Sequence, residues 1–95
     1  MTDIVRRVRV QGRVQGVGFR WFVLEAARAL GLRGWVRNEP GGDVVLEVAG
    51  APEQIDGLME AVRLGPPASR VDRVQVEPAE SRDGVTLPSP FAAHR

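Results

Sequence analysis

The chain contains no cysteine, no lysine and no tyrosine, and a single histidine among its 95 residues. Without cysteine there is no disulfide framework, no thiolate chemistry and no cysteine-ligated metal site. The lone His94 lies in a polar tail and is read as having no part in function, so neither a metal nor a cofactor is expected. No apolar run approaches the roughly 20 residues that cross a bilayer. Asp3, Arg6, Arg7 and Arg9 break up the opening residues, which therefore lack a signal peptide's apolar core. A soluble cytoplasmic protein with no membrane partner is the expectation. Acidic and basic residues nearly balance: the net charge is +1, well short of the broad basic field that nucleic-acid binders use. All 13 basic residues are arginine, which beside abundant Ala, Gly, Val and Pro reads as a compositional bias. What remains is ordinary globular material, 43% hydrophobic and 26% charged. Residues 1–95 are read as one domain, whose single core buries roughly 60–70% of the unfolded surface.

The most distinctive stretch is Gly12-Arg13-Val14-Gln15-Gly16-Val17-Gly18-Phe19-Arg20. It follows a β-type run, Ile4 to Gln11, and precedes a helical run beginning near Arg20. Its glycines let the backbone turn tightly and take φ > 0. A segment of this kind aims backbone N–H groups into one concavity, and the helix N-terminus adds donors and a positive dipole end. Arg20 stands at that mouth with a planar fork suited to phosphate or carboxylate oxygens. The pattern is not a dinucleotide fingerprint, because Trp21 takes the third glycine's place in GxGxxG, and no GxxxxGK[ST] occurs. The plainer alternative is a turn with a solvated arginine. Arg6, Arg7, Arg9 and Arg13 form a second cluster, read as a solvated sheet face or as mild steering of an anionic substrate.

Periodicity supplies the remaining elements. Ile4, Val8 and Val10 alternate with polar residues as in a half-buried strand. Phe22, Val23, Ala26, Ala27, Ala29 and Leu30 fit a helical stripe that Gly31 ends. Leu32 to Asn38 reads as a second strand, and Glu39-Pro40-Gly41-Gly42 as a type II turn with Gly41 at its third position. Val44, Leu46 and Val48 alternate in a third strand. Pro52 suits a helix start, with Ile55, Leu58, Met59 and Val62 on one face. Val71, Val74 and Val76 mark a fourth strand whose parity breaks once, as at a bulge. Val85 and Leu87 fit a short edge strand within 84–95. Residues 88–95 carry two prolines and no periodicity, so a loosely held tail is expected, worth roughly 1 kcal/mol or less.

This order is βαββαβ, the ferredoxin-like arrangement, with two helices on one face of an antiparallel sheet. The first and second strands then end on the same edge of the sheet. The glycine loop leaves the first strand there, and Asn38 closes the second, so an amide side chain, a backbone cradle and a guanidinium converge.

At these two segments the chain resembles the acylphosphatase family. GRVQGVGFR fits a first motif of the form G-x-V-Q-G-V-x-F-R. GWVRNEPGGDVVLEVAG, residues 34–50, fits a second, with Asn38, Gly42, Val44 and Gly50 at the expected places. The resemblance implies hydrolysis of acyl phosphates to a carboxylate and inorganic phosphate. It implies that Arg20 and the backbone N–H groups of Gln15, Gly16, Val17, Gly18, Phe19 and Arg20 bind the phosphoryl oxygens, and that Asn38 orients the attacking water. The partners are then a small-molecule acyl phosphate and its phosphate product, with no nucleic acid and with a monomer as the working unit. The tail departs from the family, whose final strand is usually hydrophobic and ends in aromatic residues. Trp21 and Trp35 are read as core or sheet-face residues.

Other classes stay open at this point. A ferredoxin-like sheet can bind RNA through exposed aromatics, yet the third strand, Asp43 to Ala49, has none to stack a base. A binding module without activity is a second rival, against which Arg20 and Asn38 argue together. A third is the acylphosphatase-like module at the front of larger carbamoyl-transfer proteins, where cysteine-rich segments follow.

Overall fold

The hydrophobic periodicities above resolve into seven elements in a computed structural model that describes residues 3–79 and 87–95. They are β1 (Ile4–Arg13), α1 (Phe19–Ala29), β2 (Arg33–Asn38), β3 (Val44–Gly50), α2 (Pro52–Leu64), β4 (Arg70–Pro78) and β5 (Ala92–His94). The sheet order is β4-β1-β3-β2-β5. Antiparallel pairing joins the first four strands, and β5 pairs parallel to β2, so the ferredoxin-like sheet is mixed at its edge. Because β1 and β2 both run antiparallel to β3, they run in the same direction and end at one edge. Val10 and Asn38 lie opposite Val44 there, one on each side.

One face of the sheet carries the core. Val8, Val10, Val36, Val44, Leu46 and Val48 meet Val23 and Ala27 of α1 and Ile55, Leu58, Met59 and Val62 of α2, all buried. Among the described residues the other face has no helix, yet Val45 is also fully buried. Its register neighbours are Arg9 and Arg37, whose guanidinium groups pair with Asp43 and Glu39. The alternation read from β3 is therefore incomplete, because the middle strand is shielded on both sides.

Local chemistry departs from expectation at three further places. The bond from Gly42 N–H to the Glu39 carbonyl, 3.0 Å, closes the turn after β2. Positive φ falls on Gly42 and not on Gly41, which excludes the expected type II turn and fits type I, with proline second and glycine fourth. The parity break in β4 is a register shift opposite Gln11 and Gly12, which turns both Val71 and Val74 toward the core. The edge strand exists, but at Ala92–His94; Leu87 is not part of it and Val85 lies outside the described residues. Residues 88–95 are docked, against the expectation of a loose tail. Phe91 is fully buried, and the Pro88 carbonyl accepts from Gly34 N–H at 2.9 Å.

Candidate active site

The loop between β1 and α1 is pinned at both ends by apolar side chains. Val14 and Phe19 are each 1% exposed, so the residues between them form an arch with fixed feet. Gly16 and Gly18 have φ of 73° and 78°, the left-handed region that costs other residues free energy. A Cβ at either position would meet nothing within 4 Å, so these glycines are required by backbone conformation and not by crowding. The arch therefore faces open space.

Gly18 is the N-cap of α1, and no side chain caps that end. The first turn holds no acidic residue, while basic Arg28 occupies the last turn. An α-helix leaves its first N–H groups without intrahelical partners. Here those donors and the positive end of the dipole lie beside the arch, the arrangement that suits an anion. Arg20 belongs to this first turn. Its Nη1 donates to the His94 carbonyl at 2.8 Å, which turns the guanidinium toward β5.

That contact locates Arg20 relative to Asn38. His94 lies opposite Arg37 in the parallel β2–β5 pairing, and Asn38 is the next residue of β2. On the other side, Gln15 Nε2 donates to the carbonyls of Glu39 at 2.7 Å and Asp43 at 2.9 Å. Asn38 is thus bracketed: the residue before it stands opposite the partner of Arg20, and the residue after it is bonded to the arch. These contacts place the main chain of Asn38 between the strand that holds Arg20 and the turn bonded to the arch.

Acid–base pairs brace the surrounding turn. Arg9 Nη1 lies 2.9 Å from Asp43 Oδ2, and Arg37 Nε lies 3.0 Å from Glu39 Oε2. The hydrogen bond that Arg9 donates to Asp43 raises its pKa above the ordinary value, with the charges of Asp43 and Glu39 adding to it against desolvation. Arg7 pairs with Glu47 at 3.2 Å. Arg7 and Arg9 are accordingly sheet-face residues with their own acid partners. Trp35 lies on that face, with Arg37 Cζ 4.8 Å above its ring and His94 stacked at 5.8 Å. Trp21 is not a packing residue; it is 65% exposed on the outer side of α1. Among the described residues no group of three or more His, Cys, Asp or Glu is placed to hold a metal ion, and no helix is long and apolar enough to cross a membrane.

Two contributors escape a reading of the sequence. The His94 carbonyl has no residue-type signal, because any residue there supplies a carbonyl. The Gln15 side chain sits inside the first motif, but its partners are main-chain atoms on another strand.

Known proteins resemble this chain in both sequence and fold. The sequence model of the family described as Acylphosphatase matches residues 6–89. An acylphosphatase of Koribacter versatilis is 53% identical over 78 residues, covering 82% of this chain and 71% of that protein. An acylphosphatase of Thermococcus kodakarensis is 47% identical over 77 residues, covering 81% and 85%. The crystal structure of acylphosphatase from Bacillus subtilis superposes with a TM-score of 0.86 at 36% identity, covering 97% of this chain and 99% of that one. A glycine arch opening an uncapped helix, with an arginine in its first turn and an asparagine at the same sheet edge, occurs here in a chain matched over most of its length. By sequence, fold and solved relatives the chain belongs to the acylphosphatase family and is an acylphosphatase enzyme.

Proposed function

We propose that this acylphosphatase works by phosphate capture at the arch and water attack beside Asn38. The phosphoryl group of an acyl phosphate sits at the N-terminus of α1, where backbone N–H groups of residues 15–20 and the Arg20 guanidinium contact its oxygens. The observation that carries the reading is the uncapped, acid-free first turn of α1 behind two positive-φ glycines, with Arg20 held beside it. Of the five N–H groups of a guanidinium, the contact with His94 engages one. The fork keeps donors for the substrate in an orientation set beforehand.

The Asn38 side chain orients a water opposite the leaving group. Water oxygen forms a bond to phosphorus, the bond from phosphorus to the acyl oxygen breaks, and the carboxylate leaves with the electron pair. The water proton passes to phosphate or solvent. A carboxylate is a good leaving group, so positioning and charge stabilisation suffice without a covalent nucleophile. Charge in a loose transition state spreads over the equatorial oxygens, where arginine and amides act best.

Benzoyl phosphate hydrolysis by the purified chain tests this directly. Turnover is expected to persist in excess chelator, with phosphomonoesters almost untouched because their leaving groups are far poorer. Loss of turnover in chelator, restored by a divalent ion, refutes the metal-independent mechanism.

A further inference from the structure

We propose that the side-chain amide of Gln15 is a positioning residue, which sets Asn38 relative to the phosphate-binding arch. The proposal rests on the roles assigned to Arg20 and Asn38 above and extends them to a side chain that the chemistry does not otherwise use.

The need for such a tie follows from the topology. β1 and β2 are not neighbours, because β3 lies between them. In the β1–β3 and β2–β3 pairings β3 starts at Val44, level with Val10 and Asn38. Beyond that level β1 continues through Gln11, Gly12 and Arg13 paired to β4 alone. The arch at residues 14–18 therefore stands off from the turn at residues 39–43, with no ladder bond between them. Among the described residues, the hydrogen bonds that join the two segments are the pair donated by Gln15 Nε2, at 2.7 and 2.9 Å.

The chemistry of that pair is specific. Two carbonyl oxygens face one nitrogen, so of the two ends of the amide it is the NH2 that satisfies both, with one hydrogen each. The same carbonyls close the turn: Glu39 accepts from Gly42 N–H at 3.0 Å and Asp43 accepts from Glu39 N–H at 2.8 Å. Gln15 thus shares both acceptors of the turn that begins one residue after Asn38. Arg9 and Arg37 hold the Glu39 and Asp43 carboxylates toward the sheet face, while Gln15 holds their main chain toward the arch. Removing the amide leaves the arch and the turn each folded, but frees the distance between them.

The test is Gln15→Met, which keeps length and loses both donors, in the native chain and in Asn38→Ala. Circular dichroism confirms folding, kcat is read on benzoyl phosphate, and inorganic phosphate affinity is read from thermal shift. Gln15→Met is expected to lower kcat about 10- to 100-fold, the scale of a displaced catalytic group. Phosphate affinity should change by less than about threefold, because Arg20 and the arch amides remain. In the Asn38→Ala background the same substitution should change kcat by less than about threefold, since coupled residues are not additive. Near-native kcat, equal losses in both backgrounds, or loss of phosphate affinity in step with kcat overturns the proposal. Gln15→Leu, which is neutral and also lacks both donors, carries the same comparisons if Gln15→Met unfolds. If Asn38→Ala is itself near native, the water-orienting assignment fails and the positioning role falls with it. An intact Asn38→Ala loss beside a silent Gln15→Met removes the positioning role alone.

Discussion

Phe91→Ala should cost far more stability than its place in a proline-bearing tail suggests. Phe91 is fully buried, its ring resting on the backbone of Gly34 in β2, where a Cβ would come within 2.9 Å of the ring. Its own carbonyl accepts from Arg28 Nε at 2.9 Å, so the ring and the main chain are both engaged. Substitution leaves those main-chain bonds available and removes the ring, which isolates the apolar loss. Buried Phe→Ala changes cost about 3–5 kcal/mol, a large share of the roughly 5–15 kcal/mol that holds a domain folded. At about 4–8 °C per kcal/mol for a domain of this size, Tm should fall by at least about 12 °C. Urea unfolding followed by circular dichroism gives the free energy, and an unchanged m-value shows that the native fold is retained. A loss under about 1 kcal/mol would mean that the tail is the weakly tied terminus its prolines suggested, and would refute the docking of β5.

Arg20→Ala should abolish both turnover and the stabilisation by inorganic phosphate, which in the native chain is about 2.7 kcal/mol at a hundredfold excess over Kd. Arg20→Lys should restore little of either, because a point charge cannot replace a planar fork; near-native turnover of the lysine variant would contradict the bidentate role. Gly18→Ala should destabilise by about 1–2 kcal/mol through its positive φ alone, since the added methyl has open space; a neutral result in urea unfolding would argue against that conformation.

What was legible in the sequence is what local patterns encode. Alternation marked β1 through Val8 and Val10, helical spacing marked α2 through Ile55, Leu58, Met59 and Val62, and glycines marked the arch. Arg20 and Asn38 could be brought to one edge because strand direction follows from element order. The tail was illegible for a physical reason: a strand of three residues has no period to read, and prolines 88 and 90 precede it instead of interrupting it. Phe91 signals burial only once the hollow over Gly34 exists. Val45 is buried although its register neighbours are Arg9 and Arg37, residues that pattern reading assigns to water. Trp21 reads as a packing residue because tryptophan usually is one, whereas it is exposed and the buried residues of α1 are Phe19, Val23, Leu24 and Ala27. The contacts of Gln15 and Arg20 with main-chain carbonyls depend on atoms that every residue carries, so no residue type announces them.

Asn38→Ala separates the two halves of the proposed chemistry in one variant. With kcat on benzoyl phosphate and the thermal shift from inorganic phosphate measured on the same folded protein, kcat should fall about 10²–10³-fold, the scale of losing one preorganised polar contact. Most of the phosphate shift should remain, because the arch amides and Arg20 are untouched. A near-native kcat would contradict the assignment of water positioning to Asn38, and a lost phosphate shift would place Asn38 in the binding of phosphate instead.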